Sequence, residues 1–129
     1  MKREVLRAKI HRITVTERNI HYEGSLTLDS ALMEAAGMAP FEKVDVYNVN
    51  SGSRFSTYVI RGEKDSGSCC VNGAAAHLTD PGDLLIVASY GILDDAEMSA
   101  HQPMIVLVDS KNRIIEIKRV EEEKKKVHT

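Results

Sequence analysis

The sequence predicts a mainly β domain, a small barrel or sandwich interrupted by one or two short helical pieces. Three observations carry that expectation. Short runs of alternating polar and apolar residues recur, separated by turn residues roughly every eight to twelve positions. β-Branched residues concentrate in the first of these runs, where they suit a pleated, half-buried surface. Only one segment combines helical composition with helix stop signals. Closure into a barrel would also remove the exposed sheet edges that invite aggregation.

The elements follow in chain order. "EVLRAKIHRITVTER" alternates around Ile10 to Thr16 and reads as a strand. "HYEGSLTL", from His21, reads as a second extended piece. "DSALMEAAGM" changes period: Asp29 or Ser30 can cap a helix near Ser30 to Ala36, and Gly37 can close it before Pro40. "KVDVYNVNSGSRFSTYVIRG" forms two alternating runs around Asn50-Ser51-Gly52-Ser53, the pattern of a hairpin. "SCCVNGAAAHL" is a short strand running into a turn at Asn72-Gly73. "DPGD", Asp80 to Asp83, is a turn, since Pro presets φ and Gly supplies a positive φ. "LLIVASY" is an apolar run of buried-strand length. "MIVLVDSKNRIIEIKRV" reads as a second hairpin turning near Asp109 to Asn112. Residues 121–129 form a solvated charged tail.

With 129 residues, the chain suits a single domain over 1–129. Its 43% apolar and 28% charged content is that of an ordinary soluble globular protein. A net charge of -2, with cations spread along the chain, argues against nucleic acid as a partner. Sparse aromatics and the absence of Trp argue against a base-stacking platform. No apolar run approaches a membrane span, and no secretory signal is visible, so a cytoplasmic protein without a membrane partner is expected. Cys69 and Cys70 are adjacent and read as reduced thiols in a strand. No metal is expected, because neither they nor the five scattered histidines have partners at ligand spacing.

Chemistry must then come from dispersed polar residues. Gly24-Ser25 places the most flexible residue beside a small nucleophile, within what reads as a strand. One explanation is a structural bulge in a non-catalytic binding module. The other is a peptide bond built to break. Lys9, Tyr22, Arg54, Thr57, Tyr58 and the segment Asn72 to His77 complete the set, and each alone has an ordinary structural explanation.

Together they are more specific. "KIHR" at Lys9 to Arg12, "HYEGS" at His21 to Ser25, "RFSTY" at Arg54 to Tyr58 and "VNGAAAH" at Val71 to His77 resemble the aspartate 1-decarboxylase family in order and spacing. The resemblance runs from the N-terminus to about Gly82–Ser89, and little of it is readable beyond Tyr90. One departure is Tyr47, where some members have Trp.

The resemblance implies a closed double-psi β-barrel, a homotetramer with sites between subunits, and a cytoplasmic enzyme of pantothenate biosynthesis. It implies self-cleavage between Gly24 and Ser25 into chains 1–24 and 25–129. Ser25 Oγ attacks the Gly24 carbonyl, moving the acyl group from nitrogen to oxygen. β-Elimination and hydrolysis then leave a pyruvoyl group, the cofactor, at the new terminus. That carbonyl takes the amine of L-aspartate as a Schiff base and draws off electrons as carbon dioxide leaves, giving β-alanine. Thr57 is the family's candidate for the oxyanion and substrate contacts. Tyr58 suits the proton donor, since a phenol keeps its proton at neutral pH. Arg54 offers a rigid fork for the retained carboxylate, and Lys9 can contact either carboxylate. The backbone amides of Gly73, Ala74 and Ala75 are expected to hold substrate, with Tyr22 nearby and Asn72 positioning its neighbours. A pyruvoyl decarboxylase for another amino acid is the neighbouring alternative: Arg54 disfavours apolar and basic side chains but admits glutamate. A maturation factor that accelerates the cut is a further candidate partner.

Overall fold

The computed structural model describes residues 1–122, so the expected tail lies outside the described residues from position 123 onward, together with His128. The described residues form nine strands: β1 (Lys2–Thr14), β2 (Glu17–Asn19), β3 (Ser25–Asp29), β4 (Lys43–Asn48), β5 (Arg54–Gly62), β6 (Cys69–Asn72), β7 (Leu84–Asp94), β8 (Met104–Val108) and β9 (Ile114–Arg119). Helix α1 spans Ser30–Ala36, α2 spans Asp95–Met98, and a 3-10 helix spans Gly73–Leu78. The strands pair in the order β2-β6-β3-β5-β4-β7-β1-β8-β9. This mainly β architecture is consistent with a small barrel. Its two end strands are β2 and β9, and no pairing joins them among the described residues.

Sheet and helix enclose one apolar core. Ile10, Ile13, Leu26, Leu28, Val46, Val59, Val71, Leu85, Val87 and Val106 are fully buried, with Leu32 and Met33 of α1 packed over them. The register of β1 against β7 shifts twice, between Leu6 and Ala8 and between His11 and Ile13, and the second shift breaks the alternation of buried residues. Ala8 and Ile10 point inward, and so do Ile13 and Val15. The change of phase falls at Arg12, which takes φ 65, where the register against β7 shifts between His11 and Ile13. A bulge of this kind re-aims the strand without emptying the core.

Helix α1 forms where its signals predict. The Asp29 carboxylate accepts from Ala31 N (2.9 Å) as N-cap, and Gly37 closes the last turn at φ 67. Both expected hairpins are present, β4–β5 and β8–β9.

Two expectations change. The extended piece from His21 is not a strand before Ser25: Ile20 to Gly24 form a turn and bend. Asn19 causes this, its side-chain oxygen accepting from His21 N (3.1 Å) and its carbonyl from Tyr22 N (3.4 Å). The reversal is required because β2 runs parallel to β6 and β3 antiparallel to it. Asn72-Gly73, expected as a simple turn, instead opens the 3-10 helix.

Candidate active site

Ser25 is the first residue of β3 and is buried, while Gly24 before it is exposed on the loop. Asn72, on the neighbouring strand, is paired directly with it. The Asn72 side-chain amide donates to Ser25 Oγ (3.0 Å) and to Thr27 Oγ1 (3.0 Å). Its oxygen accepts from Cys70 Sγ (3.1 Å). Burial pushes the Cys70 thiol pKa up, with Glu17 adding to the effect, so the thiol keeps the proton it donates. Ser25 Oγ donates weakly to the Glu23 carbonyl (3.4 Å). The nucleophile candidate is therefore held from one side by a donor that is itself fixed from behind.

Strand phase adds the next residues. Leu26 is aligned with Val59 on β5 and Val71 on β6, and all three are in the core. One residue earlier, side chains turn to the opposite face. That face carries Ser25 and Asn72, and on β5 it carries Tyr58, Ser56 and Arg54, which are exposed. Arg54 and Tyr58 thus share one strand face, and the register sets Tyr58 beside Ser25. Thr57 belongs to the other phase, with Phe55 and Val59, across from buried Val44.

The 3-10 helix supplies backbone donors. Gly73, Ala74 and Ala75 form its first turn, whose N–H groups have no partner inside a helix. Asn72 would ordinarily cap them, but its side chain is committed to Ser25 and Thr27 and makes no cap bond. Gly73 sits at φ 71, and a Cβ there would fall 2.7 Å from Gly24 Cα and 3.1 Å from the Tyr22 carbonyl oxygen. Only glycine lets this helix start approach the Tyr22–Gly24 loop so closely. Tyr22 itself is an exposed side chain.

Gly24 differs. Its φ is not in the left-handed region, and a Cβ would meet nothing within 4 Å. Nor is it a bulge within a strand, since it lies in a bend before β3 begins at Ser25. Neither backbone conformation nor crowding requires glycine at position 24.

Lys9 lies apart from this group. It belongs to the row Lys9, Ala88, Asp45, Ser56 across β1, β7, β4 and β5. Three inter-strand spacings make ~14 Å between Lys9 and Ser56 along the sheet. Lys9 lines a separate cavity of ≈ 400 Å³ with His11 and Lys118 over Leu6, Ile105 and Leu107. There the His11 pKa is lowered, first by burial and then by Lys9, Arg12 and Lys118, and its Nδ1 has no partner among the described residues.

Sequence reasoning missed Cys70 and Thr27, whose only signal was their two-residue offset from Asn72 and Ser25 on paired strands.

Comparison with known proteins returns one consistent result. The family description "aspartate decarboxylase" matches residues 1–115. An aspartate 1-decarboxylase from Hydrogenobaculum sp. (strain Y04AAS1) is 55% identical over 119 residues, 92% of this chain and 94% of the relative. One from Pelotomaculum thermopropionicum is 53% identical over 117 residues, 91% of this chain and 89% of the relative. One from Bordetella pertussis is 50% identical over 119 residues, 92% of this chain and 98% of the relative.

Proposed function

The chain belongs to the aspartate decarboxylase family, and from that premise we propose that it builds its own pyruvoyl cofactor from Ser25. It is a lyase that converts L-aspartate to β-alanine and carbon dioxide, the step that supplies pantothenate synthesis. The observation that carries the self-processing reading is the glycine at 24. The fold leaves room for a side chain there, and the bond it precedes joins an exposed loop to a buried serine held by Asn72.

The residues fit the group. A pyruvoyl carries two adjacent carbonyl oxygens. The open first-turn amides of Gly73, Ala74 and Ala75 and the committed amide of Asn72 are donors suited to acceptors of that kind. Once formed, the pyruvoyl supplies the electron sink for loss of the substrate carboxylate.

In maturation, Ser25 Oγ forms a bond to the Gly24 carbonyl carbon as the peptide C–N bond breaks and the hydroxyl proton passes to the freed Ser25 amine; β-elimination then releases Gly24 as a carboxylate, and water displaces ammonia to leave the ketone. Asn72 donates to one lone pair of Oγ and leaves another for attack. Glycine keeps the carbonyl unshielded. Thr57 is the family's oxyanion candidate; on β5 its phase is opposite to that of Tyr58, across from Val44 on β4.

In turnover, Arg54 binds the carboxylate that aspartate retains, and Tyr58 holds a proton for the substrate α-carbon. Gly73 to Ala75 bind through backbone N–H groups, beside Tyr22. Lys9 is the exception, set apart along the sheet from Ser25. We assign it to the site of a neighbouring copy, within a homotetramer whose sites lie between subunits.

The test is intact-mass analysis combined with carbon dioxide release from L-aspartate. Purified protein should yield two masses, residues 1–24 and a pyruvoyl-capped 25–129. Ser25→Ala should stay a single chain and release none. Incubation with and without cell extract separates self-cleavage from cleavage that needs a maturation factor. Cutting of Ser25→Ala at the same bond would end the self-processing account.

A further inference from the structure

Arg54 is exposed and, among the described residues, makes no hydrogen bond or ion pair. Asp45, the carboxylate on the adjacent strand, accepts from Ser56 Oγ (2.5 Å) instead. A guanidinium left to itself on an open strand would sample many rotamers, which suits poorly a group that must meet a carboxylate in one plane. The structure holds it another way. The Arg54 guanidinium carbon lies 4.5 Å from the centroid of the Tyr47 ring, its directly paired residue on β4. The Tyr47 hydroxyl in turn lies 2.8 Å from the Tyr90 hydroxyl on β7.

We propose that Tyr90 is a positioning residue for Arg54, acting through Tyr47. The proposal rests on the reading of Arg54 as partner of the carboxylate that aspartate retains. Stacking holds a guanidinium by its face and leaves the N–H groups at its edge free for bidentate binding. A ring fixes the guanidinium plane only when the ring is itself fixed. Tyr47 is anchored at its Cα by β4, and the hydroxyl bond to Tyr90 anchors the far end. Three adjacent strands, β5, β4 and β7, then contribute Arg54, Tyr47 and Tyr90 as a continuous relay from the substrate carboxylate into the sheet. The hydrogen bond to Tyr47 pushes the Tyr90 pKa up to about 12, with burial and Asp45 acting in the same direction and the Arg54 charge against it. The Tyr90 phenol therefore keeps its proton across the neutral range. Tyr90 lies on β7, two strands from Arg54 on β5, so its effect belongs to substrate binding and not to the chemical step.

The experiment measures KM and kcat for L-aspartate on fully cleaved enzyme, with cleavage verified by mass. Tyr90→Phe and Tyr47→Phe each remove the same bond and retain a ring. Each should raise KM about three- to tenfold, as loss of one hydrogen bond allows, with kcat held within about twofold. The double variant Tyr47→Phe/Tyr90→Phe should match either single variant, because one bond is lost in all three. Should Tyr90→Phe fold poorly, Tyr47→Phe cuts the same bond from the other end. Additive effects in the double variant would overturn the relay, as would a fall in kcat with KM unchanged. Arg54→Ala keeps the two readings apart. If it raises KM while both Phe variants do not, the relay is wrong and the Arg54 assignment stands. If it leaves KM unchanged, the Arg54 assignment fails and takes the relay with it.

Discussion

Gly24 and Gly73 are close in space and opposite in kind. Gly73 is required by geometry, at φ 71 with Gly24 Cα only 2.7 Å from where a Cβ would fall. Gly24 has an ordinary φ and open surroundings, so whatever requires glycine there is not folding. The contrast gives a paired expectation. Gly24→Ala should fold with a stability change of at most about 0.5 kcal/mol, like other exposed substitutions away from special geometry. Its cleavage should slow, because a Cβ now shields the carbonyl that Ser25 attacks. Gly73→Ala should lose stability by about 1–2 kcal/mol from the left-handed backbone alone, and should displace the loop besides. Thermal midpoints and a time course of intact mass read both effects. A Gly24→Ala chain that melts early, or that cleaves at the unaltered rate, would return the glycine to a structural role.

Among the elements, the most local features were the most legible. Helix α1, its Asp29 cap and Gly37 stop, and the hairpin turns at Asn50–Ser53 and Asp109–Asn112 all rest on neighbouring residues, which the sequence displays. Strand β2 and the reversal after it were not legible. β2 has three residues, all exposed, and exists through its pairing with β6, whose residues lie some fifty positions later. The bulge at Arg12 was hidden for a similar reason, since it serves a register with β7. Asn112 shows how a turn residue can act far beyond its turn. It is buried at φ 60, a conformation that Asn tolerates better than most side chains. Its side-chain oxygen accepts from Thr14 N (2.8 Å), and its nitrogen donates to the carbonyls of Thr14 (2.8 Å) and Gly67 (2.9 Å). The amide behaves as an extra strand residue for the end of β1. Asn112→Asp keeps the acceptor but turns an anion toward two carbonyl oxygens. It should destabilise more than Asn112→Ala, which itself should cost about 1–3 kcal/mol for the groups left unpaired. Denaturant midpoints measure the order, and an Asp variant as stable as the native chain would remove the two carbonyl contacts from the account.

At the scale of the whole molecule, alternation alone places Arg54 and Tyr58 on one face, because a four-residue offset is fixed by the pleat. The distance of Lys9 from that face was not legible, since the strands do not neighbour in chain order: β5, β4 and β7 all stand between β3 and β1. The same topology decides what cleavage does to the protein. Cutting after Gly24 would free Met1–Gly24, which carries β1 and β2. Yet β1 is an interior strand, paired antiparallel with β7 from Lys2 to Thr14 and parallel with β8 from Ala8 to His11. Ala8, Ile10, Ile13 and Val15 of the same piece are in the core. Burying Ile10, Ile13 and Val15 contributes about 1.5–3 kcal/mol each, against which the loss of one covalent bond in an exposed loop is small. The short chain should therefore stay in place after maturation. Size-exclusion chromatography under native conditions should give one species containing both masses, and only denaturant should part them. Ile10→Ala and Ile13→Ala each leave a cavity beneath β1, at a typical cost of about 2–5 kcal/mol. In cleaved protein each should let the short chain escape at a lower denaturant concentration than in the native sequence. Loss of the 24-residue chain on simple dialysis would mean that β1 is held by its covalent link to β3 and not by the sheet.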